Sequence, residues 1–441
     1  MSVPVLLVTS NGVGMGHLTR QLTLAISGAG RLEPTLASLS AALPTVARAA
    51  ADGRLPDVPG LRLEHVPSRT ASWMPSGRVG GLARTLAWEP YLRDRLVLLA
   101  AETGARVVVF DGVVPYRGLL EARRALPGTA FVWMRRGMWR PGVGSAWLAA
   151  ADAFDLVVEP GDFAGRGDTG PTRDRADARR VAPVAMTDVL PVVDPRDARR
   201  HLGLDPDRPA LLLAPGSGVH TDLTAAADAV LASVDASADD WQVVVTSQRI
   251  ARHAIGQDRA DVTVLRDVYP LAGWMTGFDA AVGAAGYNAV HELLSARVPT
   301  LLVPSTGHET DDQDARARVL AEDGVALHAS PDDLTVVRAS VERLLDAGER
   351  SVLRDATAGL PAATGGREAA DLVLELAEGR SAPAWPERVG GRRWPAPVRG
   401  PVEQSDDADG AGERPVEHVL AGASERYREA RRRVARRLYR G

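Results

Sequence analysis

One stretch of the sequence combines the residue types that bind a phosphate and a pair of hydroxyls. Residues 286–292 read Gly-Tyr-Asn-Ala-Val-His-Glu, and their glycine turn is predicted to open a helix. Backbone N–H groups at the start of a helix point outward and suit an anionic phosphate. Glu292, six residues into this stretch, could accept hydrogen bonds from a ribose diol. The next predicted strand is followed by three more polar side chains, Glu309, Asp312 and Gln313. Together these residues predict a site for a sugar nucleotide, which offers a phosphate, a ribose and a second polyol.

A second glycine-rich turn follows the first predicted strand. Residues 12–20 read Gly-Val-Gly-Met-Gly-His-Leu-Thr-Arg, so Gly14 and Gly16 lie in a turn that opens another helix. Glycine allows the backbone to approach a ligand or to adopt a positive φ. His17 ends the turn, and its imidazole could take a proton from a hydroxyl because it titrates near neutral pH. The alternative is a tight turn without a ligand, which His17 caps or packs.

These two turns, in this order along the chain, resemble those of the GT-B glycosyltransferases. The similarity covers residues 3–375 and is greatest to the family of the enzyme that adds N-acetylglucosamine to the lipid-linked cell-wall precursor, glycosyltransferase family 28. The resemblance implies an α/β protein of two doubly wound Rossmann-like domains that face each other across a cleft. It also implies that His17 faces this cleft as a general base, or that it steadies the diphosphate of the donor.

The resemblance and the glycine turns together assign the donor side of the site. Gly216, Ser217 and Gly218 follow the first predicted strand of the second half, where backbone amides could hold a diphosphate without a metal ion. The full predicted set for binding the UDP-sugar is Gly14, Gly16, Gly216, Ser217, Gly218, Gly286, Asn288, Glu292, Glu309, Asp312 and Gln313. The alternatives are a plain turn at 216–218, a helix N-cap at Asn288 and a solvated side chain at Glu292.

The acceptor side is predicted from charged residues in the first half. Asp111 directly follows an apolar strand, at the end of the sheet where ligands of open α/β folds bind. Arg20, one helical turn beyond His17, could bind an acceptor phosphate. Arg135 and Arg136 lie in a basic and aromatic cluster that suits a pyrophosphate beside a lipid or an aromatic group, or else a plain interdomain surface.

The expected reaction is transfer of a hexosyl group, N-acetylhexosaminyl included, from a UDP-sugar to an acceptor hydroxyl. The acceptor is not identified by the sequence. Sugar-nucleotide hydrolases of the same fold also carry Gly-His-x-x-Arg, as found at residues 16–20, so hydrolysis is the alternative reaction. A catalytically silent module that binds sugar nucleotides is the third hypothesis.

Short apolar runs alternate with helical patterns in both halves of the chain, which predicts parallel sheets covered by helices. We expect an acceptor-side domain over residues 1–180, a linker over 181–206, a nucleotide-sugar-binding domain over 207–375 and a C-terminal segment over 376–441.

Composition narrows the class further. The chain has 441 residues, of which 45% are hydrophobic, and this is enough for two packed domains. It has no cysteine, which excludes disulfides and thiolate metal sites. The net charge of −4 gives no indication of nucleic acid binding. No divalent-metal cluster is apparent, and no cofactor is expected besides the UDP-sugar as co-substrate. The chain lacks lysine and is rich in Ala, Gly, Pro and Arg, which is typical of a high-GC bacterial genome.

The C-terminal segment predicts where the protein works. No secretory signal and no apolar run of about 18 residues is found, so we expect a cytoplasmic protein. Residues 403–413 are acidic and predicted to be a disordered linker, whereas residues 424–440 form an arginine-rich helical pattern. This pattern predicts either contact with the anionic inner face of the plasma membrane, or a solvated tail.

Overall fold

A computed structural model of the chain describes residues 2–10, 15–68, 77–216, 221–247, 255–266 and 268–384, together with the backbone of 388–389 and 392–393. The side chains of residues 77–86 are outside this description. Three predicted site residues, Gly14, Ser217 and Gly218, and the predicted membrane-binding tail lie outside the described residues.

The first lobe is built on a sheet of seven parallel strands. Its strands are β1 (Val3–Thr9), β2 (Leu32–Ser38), β3 (Arg62–His65), β4 (Val107–Asp111), β5 (Ala130–Met134), β6 (Leu156–Pro160) and β7 (Arg179–Val181). They lie in the order β3-β2-β1-β4-β5-β6-β7, so the order reverses between β1 and β4. Ligands of such sheets bind at the carboxyl ends of the strands beside this reversal.

Helices cover both faces of this sheet. They are α1 (Gly16–Ser27), α2 (Leu43–Ala51), α3 (Gly77–Thr103), α4 (Arg117–Ala125) and the short α5 (Ser145–Leu148). Strand β1 shows why both faces must be covered, because its Val5 and Leu7 enter one apolar cluster and its Leu6 and Val8 the other. A strand buried on both sides is typical of parallel sheets and reads as a continuous apolar run.

The second lobe repeats the scheme with six parallel strands. After α6 (Pro195–His201) come β8 (Ala210–Ala214), α7 (Thr224–Asp235), β9 (Gln242–Ser247), β10 (Val262–Arg266), β11 (Ala280–Gly283), α8 (Tyr287–Ser295), β12 (Thr300–Leu302), α9 (Gln313–Glu322), β13 (Leu327–His328), α10 (Leu334–Leu345), α11 (Ala347–Thr357) and α12 (Gly365–Ala377). The strand order is β10-β9-β8-β11-β12-β13, with its reversal between β8 and β11. Short 3-10 helices span Ala149–Ala153, Gly165–Gly167, Met186–Asp188 and Leu271–Gly277, and a two-stranded pair joins β14 (Arg388–Val389) to β15 (Arg392–Arg393).

The chain crosses between the lobes twice, and the two crossings lie side by side. The outward crossing, from the first lobe to the second, contains Pro183 and Val184, and the return crossing contains Thr364 and Gly365. Val184 pairs with Thr364 in a β-bridge, and the Gly365 N–H donates to the carbonyl of Pro183 at 3.0 Å. Helix α12 then packs on the first lobe, where Ala369 and Val373 join the apolar cluster of α1. The predicted nucleotide-binding range, 207–375, therefore includes most of a helix that the structure places on the other lobe.

The apolar runs of the sequence predict strands at residues 3–8, 31–39, 61–66, 107–110, 131–134, 210–214, 242–246, 262–265, 279–283 and 300–303, and the observed strands agree to within one residue at their ends. Five further strands, β6, β7, β13, β14 and β15, were not predicted, because four of them are only two or three residues long and β6 carries a charged residue. Within the described part of the chain, none of the helices is both long enough and apolar enough to cross a lipid bilayer.

Candidate functional site

A cavity of about 260 Å³ lies between the lobes, at the carboxyl ends of β8, β9 and β10. The second lobe contributes most of its wall, including the first turns of α8. The first lobe contributes Met15, Gly16 and Thr19 from the turn that opens α1. The polar side chains in the wall are Thr19, Thr246, Ser247, Tyr269, Asn288 and Glu292. The cavity thus joins both glycine turns that the sequence analysis identified.

Glu292 is the acidic side chain of this cavity wall. It is half-buried on α8, and removal from water raises the pKa of its carboxyl to about 8. Within the described residues it has no hydrogen-bond or ion-pair partner. A carboxyl group that faces a cavity without a protein partner can accept hydrogen bonds from two neighbouring hydroxyls of a ligand.

Two of the three predicted glycines that the structure describes border the same cavity. Gly16 and Gly216 lie in its wall, and Gly216 has a φ of +79°, which only glycine adopts without strain. Gly286 is the residue before α8, so the free N–H groups of that helix begin directly after it. This arrangement provides the backbone amides that a diphosphate would need.

His17 directly follows Gly16 of the cavity wall in the chain, and its side chain is held by Asp111. Its Nδ1 lies 2.6 Å from Oδ1 of Asp111, which is buried at the end of β4. A carboxylate only accepts hydrogen bonds, so Nδ1 carries the proton and Nε2 presents its lone pair. Burial lowers the pKa of His17, and the guanidinium groups of Arg20 and Arg136 add to this effect against the opposing influence of Asp111. The imidazole is therefore neutral near pH 7 and able to accept a proton.

Arg20 and Asp111, both predicted to bind the acceptor, are bound to each other. The Arg20 side chain is 2% exposed, and its Nε and Nη2 donate to the two carboxylate oxygens of Asp111 at 2.9 and 2.6 Å. Burial alone would raise the pKa of Asp111, but Arg20 and His17 lower it. An acceptor phosphate could reach Arg20 only by breaking this buried ion pair, which is strongly unfavourable.

Asn288, predicted to bind the donor, lies in the cavity wall, and its amide also contacts the first lobe. Its Oδ1 accepts from Nη1 of Arg20 at 3.0 Å, and its Nδ2 donates to the carbonyl of Gly16 at 3.3 Å. Both ends of the amide therefore bind the first lobe across the cleft. Its side chain is not the N-cap of α8 either, because that position is Gly286.

The two arginines after β5 have different positions. Arg135 is fully buried and binds Glu159 at 3.0 Å and Asp177 at 3.2 Å, so it stabilises the first lobe and cannot bind an acceptor as predicted. Arg136 is 15% exposed, lies near enough to influence His17, and binds Asp311 of the second lobe at 3.1 Å. Of the two, only Arg136 remains a candidate for contact with an acceptor.

The loop that carries Glu309, Asp312 and Gln313, here called the sugar-reading loop, is stabilised by hydrogen bonds of its own side chains. Gln313 is 3% exposed, accepts from the Ser305 N–H at 3.1 Å and donates to Asp311 at 3.0 Å. Asp312 caps α9 by accepting from the Ala315 N–H at 3.2 Å. Glu309 is exposed. In this arrangement Gln313 and Asp312 shape the loop, and their contact with sugar hydroxyls stays a prediction.

A buried charge network between the lobes was missed by the sequence analysis. Arg316 is fully buried and donates from Nε to Asp162 at 2.8 Å, while its Nη1 lies 3.0 Å from Asp311. Asp311 has its pKa lowered, since the attraction of Arg136 and Arg316 outweighs the effect of burial. No local pattern in the sequence Ala-Arg-Ala at 315–317 indicates that its arginine pairs with a residue of the other lobe.

Backbone contacts close one edge of the cleft. The Arg140 N–H donates to the carbonyl of Thr310 at 2.8 Å, and the Asp312 N–H donates to the carbonyl of Met138 at 3.1 Å. The acceptor-side segment after β5 is thereby joined to the predicted sugar-reading loop. Within the described ranges, no group of three or more His, Asp or Glu residues could hold a metal ion.

Comparison with solved structures identifies proteins of the same architecture. No protein-family model matches the chain. The glycotransferase of kitacinnamycin is 19% identical, covers 85% of this chain and 99% of its own, and superposes with a TM-score of 0.55. Acinetobacter baumannii MurG is 16% identical, with coverages of 85% and 99% and a TM-score of 0.52. Phytolacca americana UGT2, complexed with UDP-2fluoro-glucose and pterostilbene, is 16% identical, with coverages of 86% and 99% and a TM-score of 0.57. These similarities, with the two doubly wound sheets, confirm the predicted GT-B fold.

Proposed function

We propose that this protein is a glycosyltransferase that moves a hexosyl group from a UDP-sugar to an acceptor hydroxyl. The fold supports sugar transfer, because the similar structures are glycosyltransferases and one of them is complexed with UDP-2fluoro-glucose and pterostilbene. The observation that carries the proposal is the His17–Asp111 pair, whose Nδ1 and Oδ1 lie 2.6 Å apart and whose histidine directly follows Gly16 in the wall of the cavity that the unpartnered Glu292 also lines. A base and a diol-binding carboxyl at one cleft are what transfer from a sugar nucleotide requires.

The reaction follows from this arrangement. Nε2 of His17 takes the proton of the acceptor hydroxyl as its oxygen attacks the anomeric carbon. The bond from that carbon to the β-phosphate oxygen breaks, and UDP leaves with both electrons of the bond. Asp111 accepts from Nδ1–H and stabilises the imidazolium that forms. The amides at the start of α8 offset the charge that develops on the diphosphate.

The donor would lie mainly against the second lobe. Glu292 would accept from both ribose hydroxyls, and the loop that Gln313 and Asp312 shape would contact the transferred sugar. The acceptor would enter from the first lobe, past His17 and Arg136. The guanidinium of Arg136 already pairs with the carboxylate of Asp311. A neutral group of the acceptor is therefore easier to place beside Arg136 than a second cation.

The test is whether release of UDP requires an acceptor. UDP-glucose and UDP-N-acetylglucosamine would be incubated alone, with a polyprenyl-diphosphate lipid and with a small phenolic or sugar alcohol. We expect UDP release to depend on one acceptor class. Release at the same rate in water alone would identify a hydrolase, and binding without release would identify a silent module.

His17→Ala should lower turnover by about 10²–10⁴-fold, the usual contribution of a positioned acid–base group, and leave UDP affinity unchanged. The control is His201→Ala, which removes an exposed histidine that stacks on Trp274 away from the cavity. Near-normal turnover of the His17 variant at saturating acceptor would assign this residue a structural role.

A further inference from the structure

Arg20 is a first-lobe residue whose guanidinium contacts the second lobe. Three of its nitrogens are used, since Nε and Nη2 bind Asp111 and Nη1 donates to Asn288 on α8. Its Nη2 also lies 2.8 Å from Nδ1 of His17, and its Cζ lies 5.4 Å from the ring centre of Tyr287. His17 Nδ1 cannot accept from Arg20 while it donates to Asp111, so the two nitrogens share one carboxylate oxygen. Arg20 therefore joins the proposed base and its carboxylate to a helix of the other lobe.

Helix α8 carries donor-side and cross-lobe contacts on the same few turns. Glu292 and Asn288 line the cavity. The Tyr287 hydroxyl donates to the carbonyl of Gly161 at 2.8 Å and accepts from the Val184 N–H at 3.0 Å, in the segments that connect the lobes. A ligand that displaces α8 at Glu292 would therefore displace the partner of Arg20 as well.

We propose that Arg20 is a positioning residue, which ties the His17–Asp111 pair to α8 through Asn288 and so holds the base in register with a sugar nucleotide bound at Glu292. The catalytic consequence of this inference rests on the proposed function. The arrangement itself, a bidentate ion pair to Asp111 and a cross-lobe hydrogen bond, does not depend on the proposed function.

The same contacts give Arg20 an electrostatic effect that can be measured without activity. Three charged groups face His17: Asp111 from β4, Arg20 from α1 and Arg136 from the segment after β5. Arg20 lowers the pKa of His17 directly, and its ion pair with Asp111 offsets the raising effect of that carboxylate. Loss of the Arg20 charge should therefore raise the pKa of His17 by both routes.

The first measurement is an NMR titration of the full chain with ¹³C-labelled histidine, with His17 assigned from its disappearance in His17→Gln. In Arg20→Gln we expect the His17 titration to move upward by about one pH unit or more. In Arg20→Lys the charge is retained, so the titration should stay close to that of the wild type. Arg54→Ala is the matched control, because Arg54 donates across the lobes to the carbonyl of Tyr269 at 2.6 Å without touching His17 or Asp111.

The second measurement is turnover, compared with UDP affinity from calorimetry. A lysine ammonium cannot bind Asp111 bidentately and also reach Asn288, so Arg20→Lys should lose cross-lobe positioning despite its charge. Arg20→Lys and Asn288→Ala should each lower kcat about tenfold or more, because small displacements of a reacting group are costly. Both should leave the Kd of UDP within about threefold, a change below 1 kcal/mol.

The outcomes separate this inference from the proposed function. An unchanged His17 titration in Arg20→Gln would overturn the electrostatic part. A kcat loss in Arg54→Ala equal to that in Asn288→Ala, or weaker UDP binding with normal kcat in Asn288→Ala, would overturn the positioning role.

If no acceptor supports turnover but the His17 titration moves as expected, the proposed reaction fails and the placement of Arg20 stands. Should Arg20→Gln not fold, Arg20→Lys and Asn288→Ala still decide the positioning role.

Discussion

At the scale of single residues, this site is built from groups whose charge state depends on burial. His17 and Glu292 are both neutral near pH 7, the first because burial lowers its pKa and the second because burial raises the pKa to about 8. Arg20 and Asp111 are both charged and form a buried ion pair with each other. A neutral base beside a matched ion pair, next to a cavity with an unpartnered carboxyl, is suited to taking a proton from a hydroxyl of a bound ligand.

The carboxyl of Glu292 should make stability depend on pH. The folded protein holds this proton up to about pH 8, whereas the usual pKa of 4.5 applies to the unfolded chain. Between these values the folded state binds more protons, so its stability falls as pH rises. Glu292→Gln should therefore be more stable than the wild type at pH 8.5 and equal to it at pH 4, as measured by thermal unfolding. The control is Glu375→Gln, which changes an exposed carboxyl on α12. An equal pH response of the two variants would contradict the burial of Glu292.

Glu292 should also bind the ribose of the donor without help from a metal ion. Glu292→Ala should weaken UDP binding by about 1–3 kcal/mol, the usual cost of leaving a buried hydrogen-bond donor, here the ribose hydroxyls, without a partner. Isothermal titration calorimetry with EDTA present would measure this for the wild type, Glu292→Ala and Glu375→Ala. Unchanged affinity in the Glu292 variant would show that the ribose lies elsewhere, and a strict need for Mg²⁺ or Mn²⁺ would oppose binding by backbone amides.

At the scale of elements, the two crossings and α12 fix how the lobes meet. The return crossing enters α12 at Gly365, whose N–H binds Pro183 of the outward crossing, and α12 then packs on α1. Helix α1 begins at the cavity and carries His17 and Arg20. The packing of α12 on α1 therefore stabilises the helix that carries these two residues. The crossings therefore stabilise the site as well as connecting the lobes.

Gly365 should tolerate no side chain. A Cβ atom added there would lie 1.9 Å from the carbonyl oxygen of Ala182, so the two crossings would have to separate. Gly365→Ala should lower the free energy of unfolding by about 1–3 kcal/mol, as overpacking usually does. Gly165→Ala is the control, since a Cβ there has no neighbour within 4 Å. Chemical denaturation measures both, and equal midpoints would mean that the crossings can move apart at little cost.

At the scale of the whole molecule, residues 1–395 form a first unit of the chain and residues 396–441 a second. Both lobes belong to the first unit, and the cross-lobe contacts of Arg20, Arg136 and Tyr287 agree with this. The second unit lies outside the described residues, so its role is predicted from sequence alone. It is acidic at first and then arginine-rich, with few apolar residues.

A chain that ends at Pro401 should keep its activity on a water-soluble acceptor and lose binding to anionic vesicles. Each arginine near an anionic bilayer contributes about 1 kcal/mol, and salt screens this attraction. Co-sedimentation with vesicles of phosphatidylglycerol, at low and high salt, would compare the full and shortened chains. Equal binding of both would exclude a membrane role for the tail. Loss of activity on the soluble acceptor would mean that the tail contacts the catalytic lobes.

The sequence by itself determined the architecture and the position of the cavity. Strand ends, glycine turns and the helices that follow them are properties of contiguous residues, so β1, β8, α1 and α8 could be predicted together with Gly16, Gly286 and Glu292. The fold class followed because alternating strands and helices have few ways to pack.

Only the tertiary structure decided which side chains pair with one another. Asp111 meets His17 across 94 residues of sequence, and Asn288 meets Arg20 across 268. Arginine is usually an exposed cation, so the sequence predicts that Arg20 and Arg135 could bind a phosphate. Packing instead buries both side chains against carboxylates from distant strands. The energy of a buried charge depends on a partner a few ångströms away, and that partner's place in the sequence is set by the topology of the whole fold.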